Sequence, residues 1–218
     1  MCIEEGDVQL RLVIVGARGY AKVVVDIAIR CGYEDIIFLD DDESMKACMG
    51  YPVVGNLCLA KEYSDSDFFI AVGNPITRER IYNKLLGDGM HFVTLIHPNA
   101  VIAEAVSIGI GSVVMAGAVI NSDSRIGNGC IVDTGSTVDH DDLIEDFVHV
   151  AVGSHLAGMV HIGRRTWIGA GAIVSNNVNI CGDCMIGAGA VVIKDIDVAG
   201  TYAGVPVRRI NGVYFRTQ

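Results

Sequence analysis

An aliphatic residue recurs at every sixth position through the second half of the chain. It is present at eighteen consecutive positions, from Ile96 to Val198, without an insertion. Neither the period of a helix nor the alternation of a plain strand produces this spacing. A six-residue period is typical of parallel β-helices, in which each repeat is one short strand and a turn, and stacked neighbours complete the core. The pattern therefore predicts a parallel β-helix over residues 96–218.

The fifth residue of most hexads is small. Three hexads would close one triangular coil of eighteen residues, so we expect these side chains to fit the corners of the coil. They are Ser112, Ala118, Ser124, Cys130, Ser136, Ser154, Thr166, Ala172, Cys184 and Ala190. Residues eighteen apart should stack on successive coils about 4.8 Å apart. This geometry predicts that Gly158 lies over His140 and Trp167 over His149.

The first ninety or so residues have a different pattern. Apolar strand-like runs (VQLRLVIV, IIFL, DFFIAV and HFVTLI) alternate with two segments of helical spacing. The first of these contains Val23, Val24, Ile27 and Ala28, and we expect Thr77 to cap the second and Gly87 to end it. This alternation predicts a small Rossmann-like domain over residues 1–95 with a parallel sheet, so the fold class is α/β followed by all-β.

Composition and charge exclude several classes of protein. The formal charge of −10 argues against a nucleic-acid partner, which requires a basic surface. The acidic N-terminus, MCIEEGDVQL, does not resemble a signal peptide, and no apolar run is long enough for a membrane span. We therefore expect a cytoplasmic protein whose seven cysteines are reduced thiols. Cys181 and Cys184 form a C-x-x-C without a second pair, so no metal site is predicted.

A glycine turn after the first strand suggests a ligand site. GARGYA is only a partial dinucleotide fingerprint, because its spacing is G-x-x-G-x-A. Asp40 follows the second strand about twenty residues further on, where it can accept hydrogen bonds from a ribose or a base. The alternative is that Asp40, Asp41 and Asp42 form a solvated turn.

Titratable groups are concentrated in STVDHDDLIEDFVH, residues 136–149. A histidine beside a carboxylate is a general base, because the carboxylate fixes the tautomer and favours the imidazolium. A glycine N–H stacked over it can bind a developing oxyanion. The alternative is a solvated outer face, to which we assign Asp142, Glu145 and Asp146, while Asp133 and Asp139 stay open and His155 and His161 are assigned mainly to structure.

Motifs in both halves resemble one family. The hexads IGIGSV, IGAGAI and IGAGAV are similar to those of left-handed β-helix acyltransferases. With GARGYAKVV, FLDDD and STVDHDD followed by HVAVGSHLAG, the chain resembles nucleotide-sugar acetyltransferases of the sialic-acid O-acetyltransferase superfamily. Within it, the chain looks most like the UDP-4-amino-sugar N-acetyltransferases of the bacillosamine pathway. The resemblance implies homotrimers with active sites between subunits, acetyl-CoA as co-substrate and a nucleotide sugar as substrate.

The resemblance also implies roles for single residues. His140 matches the general base and Asp141 the acid beside it. The residues that match acetyl-CoA contacts are His149, Gly158, Ala170 and Ala188. The residues that match the nucleotide-sugar pocket are Arg18, Gly19, Tyr20, Asp40, Asp41 and Gly73. Tyr20 stands where close relatives usually have His, and Asp141 where Glu is common. Either Arg208 or Arg209 can meet the coenzyme's phosphates or only cap the last coil.

Several alternatives keep the fold and change the function. The acceptor can be a sialic acid hydroxyl or a GDP-linked amino sugar, and the solenoid can be a scaffold without an activity. A γ-class carbonic anhydrase is disfavoured, because His149, His155 and His161 are six apart and fall on three different sides of the coil. An acyl-enzyme route is disfavoured as well, because Cys130 and Ser136 occupy corner positions.

Overall fold

A computed structural model describes residues 11–210. An α/β layer comes first, and a stack of short parallel strands in three sheets follows it, consistent with a left-handed β-helix. Three features of the sequence prediction lie outside the described residues. They are the N-terminal segment without a signal-peptide pattern, Cys2, and the outer ends of both predicted domains. The predicted boundary between the domains falls within the first strand of the stack, Leu95–Ile96.

The N-terminal sheet has six strands. In chain order the elements are β1 Leu12–Val15, α1 Gly19–Arg30, β2 Ile36–Leu39, β3 Ala47–Cys48, β4 Tyr51–Gly55, a 3-10 helix Leu57–Tyr63, β5 Asp67–Ile70, α2 Pro75–Gly87 and β6 His91–Phe92. The strand order is β3-β4-β2-β1-β5-β6. Every position of β1, β2 and β5 is buried, as expected for strands covered on both faces. The sheet is mixed rather than parallel throughout, because β3 pairs antiparallel with β4 in a short hairpin at one edge.

Both helices depart in detail from the sequence prediction. In α1, Val24, Ile27 and Ala28 are buried as expected, whereas Val23 is exposed. The predicted cap Thr77 of α2 is wrong, because the helix starts at Pro75 and the side chain of Asn74 accepts the N–H of Thr77. Neither helix of the described region is long and apolar enough to cross a membrane.

The solenoid consists of short parallel strands in three sheets. The first sheet contains Leu95–Ile96, Val113–Val114, Ile131–Val132, His149–Val150, Trp167–Ile168 and Met185–Ile186, followed by Thr201–Ala203 and the antiparallel Arg208–Ile210. The second contains Val101–Ile102, Val119–Ile120, Thr137–Val138, His155–Leu156, Ile173–Val174 and Val191–Val192. The third contains Ser107–Ile108, Arg125–Ile126, Leu143–Ile144, His161–Ile162 and Asn179–Ile180. Residues eighteen apart pair in register, as His149 does with Trp167.

The interior of the solenoid is built from the hexad positions. The small corner residues predicted from the sequence are all buried, with at most 1% exposed. The aliphatic residues from Val114 to Val192 form one continuous cluster with them. The predicted eighteenth repeat is wrong, because Val198 is 54% exposed and Ile196 instead bridges to Ile180.

The α/β layer covers only one side of the solenoid. Leu95, Val113 and Ile131 point outward from the first sheet, yet they are buried because α1 and the N-terminal sheet pack on them. The corresponding outward residues of the other two sheets, such as Val101 and Leu143, are exposed. The first sheet is therefore the floor of the cleft between the two parts of the chain.

One buried arginine fastens the two parts together. Arg78 of α2 is 2% exposed and donates to the carbonyls of Val72 and Gly73, in the loop after β5. It also donates to the carbonyls of Gly129 and Phe147, in two successive turns of the solenoid. A single side chain thus fixes the loop after β5 against the solenoid.

Candidate active site

A cavity of about 1350 Å³ lies between the carboxyl ends of the N-terminal strands and the outer face of the first solenoid sheet. All six residues predicted for the nucleotide sugar line it: Arg18, Gly19, Tyr20, Asp40, Asp41 and Gly73. Three of the four residues predicted for the coenzyme line it as well: His149, Ala170 and Ala188. Ligands of α/β proteins are expected at this end of a parallel sheet.

The turns at the strand ends are held by Asp40. Its two carboxylate oxygens accept the N–H groups of Ala17, at 2.7 Å, and of Asp42, at 2.9 Å. Gly16 has a φ of +96°, and a Cβ there would lie 3.1 Å from the carbonyl oxygen of Ala71. Glycine is required at this turn, because an L side chain would be strained and would crowd β5. Asp40 therefore shapes the rim, while each oxygen keeps a lone pair for a ligand.

Several buried polar groups that line the cavity have no hydrogen-bond partner within the described chain. The His149 and Trp167 rings are in contact, with centroids 4.1 Å apart. His149 Nε2 lies 3.6 Å from Asp133, too far for a hydrogen bond, and both ring nitrogens are buried without a partner. The hydroxyl of Tyr20 is also buried and unpartnered. A ligand with polar atoms would satisfy these groups.

Burial controls the protonation of the cavity floor. It lowers the pKa of His149, although the carboxylate of Asp133 opposes the shift. Burial also raises the pKa of Tyr20 above its ordinary value. Both side chains are therefore neutral near pH 7, and each can donate and accept hydrogen bonds. Asp133 also lines the cavity, although nothing in the hexad pattern indicates that the turn after Val132 faces it.

His140 lies in the turn between the second and third sheets. Its Nδ1 is 2.8 Å from the Asp141 carboxylate, and its backbone N–H donates to Asp139 at 2.9 Å. The hydrogen bond to Asp141 raises the pKa of His140, and the charges of Asp139 and Asp141 act in the same direction. Because Asp141 accepts a hydrogen bond from Nδ1–H, the other ring nitrogen, Nε2, is the one that can accept a proton.

Gly158 lies against the imidazole, as the eighteen-residue spacing predicts. A Cβ at Gly158 would stand only 2.5 Å from Nε2 of His140. The next residue, Met159, donates its N–H to the His140 carbonyl at 2.9 Å. The ring can occupy this place only because position 158 has no side chain.

The chain does not bring all predicted site residues together. His140, Asp141 and Gly158 belong to the corner between the second and third sheets, whereas the cavity lies on the first sheet. In a three-sided coil that corner is opposite the first sheet. The predicted coenzyme contacts are therefore divided, with Gly158 beside His140 and the other three in the cavity.

Known proteins match both parts of the chain. The PglD N-terminal domain profile matches residues 11–85. The UDP-N-acetylbacillosamine N-acetyltransferase of Bacillus subtilis is 36% identical over 108 residues, 47% of this chain and 50% of that protein. The matched region thus spans about half the length of this curated relative.

Solved structures match almost end to end. The acetyltransferase domain of PglB from Neisseria gonorrhoeae, in complex with acetyl coenzyme A, is 39% identical with a TM-score of 0.88, covering 92% of this chain and 98% of that one. The chain belongs to the PglD-type nucleotide-sugar N-acetyltransferases. PerB of Caulobacter crescentus, in complex with CoA and GDP-perosamine, is 37% identical with the same TM-score of 0.88, covering 92% and 97%.

In this PglD-type chain, several acids of residues 136–149 differ from the sequence prediction. Asp142 is not solvated but 1% exposed, because its side chain fills a corner of the coil. Glu145 accepts from His161 and from the N–H of Arg164, and Asp146 accepts from the N–H of Asn128. These two acids are partly exposed and partnered rather than freely solvated.

The remaining histidines and arginines have ordinary structural contacts. His149, His155 and His161 lie on three different sheets, as the sequence predicts. His155 Nδ1 is 3.0 Å from the Thr137 hydroxyl, and His161 Nε2 is 2.8 Å from Glu145. Within residues 11–210 no group of three metal-ligating side chains converges. Arg208 and Arg209 are exposed on the last strand, where Arg209 donates to the carbonyl of Ala199.

Proposed function

We propose that the chain transfers the acetyl group of acetyl-CoA to the 4-amino group of a UDP-linked amino sugar by direct attack, with His140 as general base. The observation that carries this proposal is the contact of His140 with Asp141 on one side and with bare Gly158 on the other. Family membership and the cavity at the carboxyl ends of the strands support it.

The chemistry follows from the parts. An amine that attacks a thioester must lose a proton, and Nε2 of His140 can take it while Asp141 accepts a hydrogen bond from Nδ1–H. As the tetrahedral intermediate collapses, the C–S bond breaks, and the departing CoA thiolate can take the proton back from His140. The N–H of Gly158 can donate to the oxygen that becomes negative as the tetrahedral intermediate forms. An acyl-enzyme is disfavoured, because burial raises the pKa of Cys130 to about 12 and Ser136 is fully buried.

Ligand placement requires a second copy of the chain. We place the nucleotide sugar against Arg18, Gly19, Tyr20, Asp40, Asp41 and Gly73. We place acetyl-CoA against His149, Gly158, Ala170 and Ala188. Because the His140 corner is opposite the first sheet, the base of one copy reaches the cavity of another in a closed ring. A homotrimer with a site between each pair of subunits satisfies this geometry.

The decisive experiment is a comparison of His140→Ala with the wild type. We expect turnover to fall at least about 10²-fold, with acetyl-CoA affinity changed by only a few-fold. Acetylated product is identified by mass spectrometry, and coenzyme binding is measured by calorimetry. Near-normal turnover in the variant would remove His140 from the mechanism.

The site between subunits has its own test. An Ala170→Trp variant blocks the cavity and leaves the His140 corner intact, whereas His140→Ala does the reverse. Each variant alone should be inactive, and unfolding and refolding the two together should restore activity in mixed trimers. No restored activity in refolded trimers of verified mixed composition would place the base and the cavity in one chain.

A GDP-linked amino sugar is the second candidate acceptor. PerB, at 37% identity, is described in complex with CoA and GDP-perosamine. A thermal-shift panel of UDP-, GDP- and CMP-sugars with CoA separates the candidates, because a specific ligand raises the melting temperature by mass action. We expect the largest shift from a UDP-sugar, and a larger shift with a GDP-sugar would replace the UDP assignment.

A further inference from the structure

Three polar corner residues of the solenoid, Ser112, Ser124 and Thr166, share one bonding pattern. Ser136 and Ser154, at the corner between the first and second sheets, instead donate to the carbonyl three residues earlier. Ser112 donates its hydroxyl proton to the carbonyl of Gly127 at 2.8 Å and accepts the N–H of Cys130 at 2.9 Å. Thr166 repeats both bonds with the carbonyl fifteen residues later and the N–H eighteen residues later. A corner group that fits this lattice must therefore be a donor and an acceptor at once.

Asp142 occupies such a corner with a carboxyl group. It is 1% exposed, and its Oδ1 accepts the N–H of Val160, eighteen residues later, at 2.7 Å. Its Oδ2 is buried and has no hydrogen-bond partner. The carbonyl fifteen residues later belongs to Ala157. A carboxylate cannot donate to a carbonyl, whereas a protonated carboxyl group can, and only the protonated form reproduces both bonds of the pattern.

The surroundings of Asp142 favour the protonated form. Burial raises its pKa to about 7, while the N–H of Val160 and the charge of His140 oppose the shift. The backbone N–H of Asp139, on the same turn, also lowers the pKa, whereas the negative charge of the Asp139 side chain raises it. The other titratable group of this turn is Asp141. The coil before presents Asp123, eighteen residues earlier, and the turn at residues 157–160 has no titratable side chain.

The bonds of Asp142 join the two turns that carry the proposed chemistry. Two successive N–H groups of the Gly158 turn donate to the preceding coil. The N–H of Met159 donates to the His140 carbonyl, and the N–H of Val160 donates to the Asp142 side chain. From below, the hydroxyl of Ser124 donates to the Asp139 carbonyl at 2.5 Å and accepts the N–H of Asp142 at 3.2 Å. The His140 turn is thus held on both sides at the corner that Asp142 fills.

We infer that Asp142 is a positioning residue for His140, acting as a neutral carboxylic acid that holds the His140 turn against the Gly158 turn. This inference rests on the proposed role of His140. When Asp142 ionises, its second oxygen cannot donate to any carbonyl, a negative charge is left without a partner in the interior, and the turn loosens. Catalysis then depends on keeping one buried proton that never reaches the substrate.

Three variants test this inference. Asp142→Asn keeps an acceptor and a donor but cannot ionise, whereas Asp142→Ala removes both. Ser112→Ala is the matched control, because it removes the same pair of bonds at a corner remote from His140. Acetyl transfer is measured from pH 5.5 to 9, with kcat and KM determined separately.

The expected results are specific to each variant. Asp142→Asn should keep kcat within about twofold at pH 6 and should lose the alkaline limb that the wild type shows near pH 7. Asp142→Ala should lower kcat about tenfold with KM unchanged, and Ser112→Ala should match the wild type. The inference is overturned if the asparagine variant keeps the alkaline limb, or if Asp142→Ala is no less active than Ser112→Ala.

A second readout does not depend on activity. Because the folded-state pKa of Asp142 lies above its unfolded value, the folded protein holds the proton longer and stability falls as pH rises from about 4 to about 7. Denaturant unfolding should show this fall in the wild type and a shallower one in Asp142→Asn. Equal slopes would refute a buried neutral acid whatever His140 does. A normal His140→Ala turnover with unequal slopes would instead refute the proposed function and the positioning role that rests on it, and would leave Asp142 as a buried neutral acid of the fold alone.

Discussion

At the scale of single residues, the two histidines His140 and His149 have pKa values that are shifted in opposite directions. The hydrogen bond that His140 donates to Asp141 raises the pKa of His140, which makes the imidazole a better proton acceptor. His149 has the opposite shift, because burial lowers its pKa. In the proposed mechanism, His140 takes a proton, whereas His149 remains a neutral hydrogen-bonding group.

Removing the charge of Asp141 should separate its role from that of its neighbours. In Asp141→Asn the pKa of His140 should fall, so the acid limb of kcat/KM moves to lower pH, and turnover drops about ten- to a hundredfold. Asp123→Asn is the control, since Asp123 has the same left-handed backbone, with φ of 63° against 60° for Asp141. Rate profiles against pH measure both, and an unmoved acid limb in Asp141→Asn would contradict the assignment.

A methyl group at position 158 should displace the imidazole. The Cβ of Gly158→Ala would fall 2.5 Å from Nε2 of His140, so the ring must swing away. Turnover should drop more than about tenfold, with little loss of stability because the His140 side chain is 56% exposed and can move into solvent. Gly87→Ala, where an added Cβ meets nothing within 4 Å, is the control. Equal activity of the two variants would show that this contact is not used.

The sequence predicts the place of His140 correctly and that of Asp142 wrongly, because Asp142 is buried and not solvated. The eighteen-residue spacing predicted the contact of His140 with Gly158, since backbone register alone determines it. An acid-rich turn favours the prediction that its acids are solvated. The only contrary signal in the sequence is that Asp142 occupies the fifth position of its hexad, which points inward. Asp133 was beyond prediction, because its place depends on how the N-terminal layer covers the first sheet.

At the scale of elements, the hexad determines the solenoid almost completely. Its strands coincide with the predicted positions from Ile96 to Val192 because each coil buries its aliphatic residues only in that register. The prediction failed at Val198, where no further coil follows in the same register. In the α/β layer the sequence does not indicate the hairpin of β3 and β4, because its strands are short and mostly half-buried, without a continuous apolar run.

A large residue at a corner should break the stack. Ala172 is fully buried, and Ala172→Leu forces extra methylenes into a packed interior. We expect a loss of about 1–3 kcal/mol in the free energy of unfolding, measured by urea denaturation. Ile173→Leu is the control, because Ile173 points outward and is 45% exposed. An unchanged midpoint in Ala172→Leu would mean that the corner is looser than its burial implies.

At the scale of the whole molecule, Arg78 and a neighbouring ion-pair cluster hold the cleft in shape. Glu79, next to Arg78, bonds both Arg164 and Arg165 of the solenoid. The carbonyl acceptors of Arg78 include Gly73 at the cavity rim and Phe147, two residues before His149. The rim and the floor of the cavity are therefore fixed by the same side chain.

Loss of Arg78 should destabilise the assembly of the two parts. Arg78→Met leaves four carbonyls without a charged donor, and we expect a cost of at least about 2 kcal/mol. Arg30→Met, at an exposed i,i+4 pair, is the control and should cost under about 1 kcal/mol. Urea denaturation followed by intrinsic fluorescence measures both. Equal urea midpoints for the two variants would show that the Arg78 guanidinium does not stabilise the contact between the α/β layer and the solenoid.

Four hydrogen bonds from one guanidinium also bear on how substrates arrive. A hinge motion between the α/β layer and the solenoid would break these hydrogen bonds at a buried position, where water cannot replace them. The cleft is consequently a rigid frame, open before any substrate comes. Substrate should then bind in one step. The observed association rate constant should rise linearly with substrate concentration and should not saturate at the rate of a conformational change.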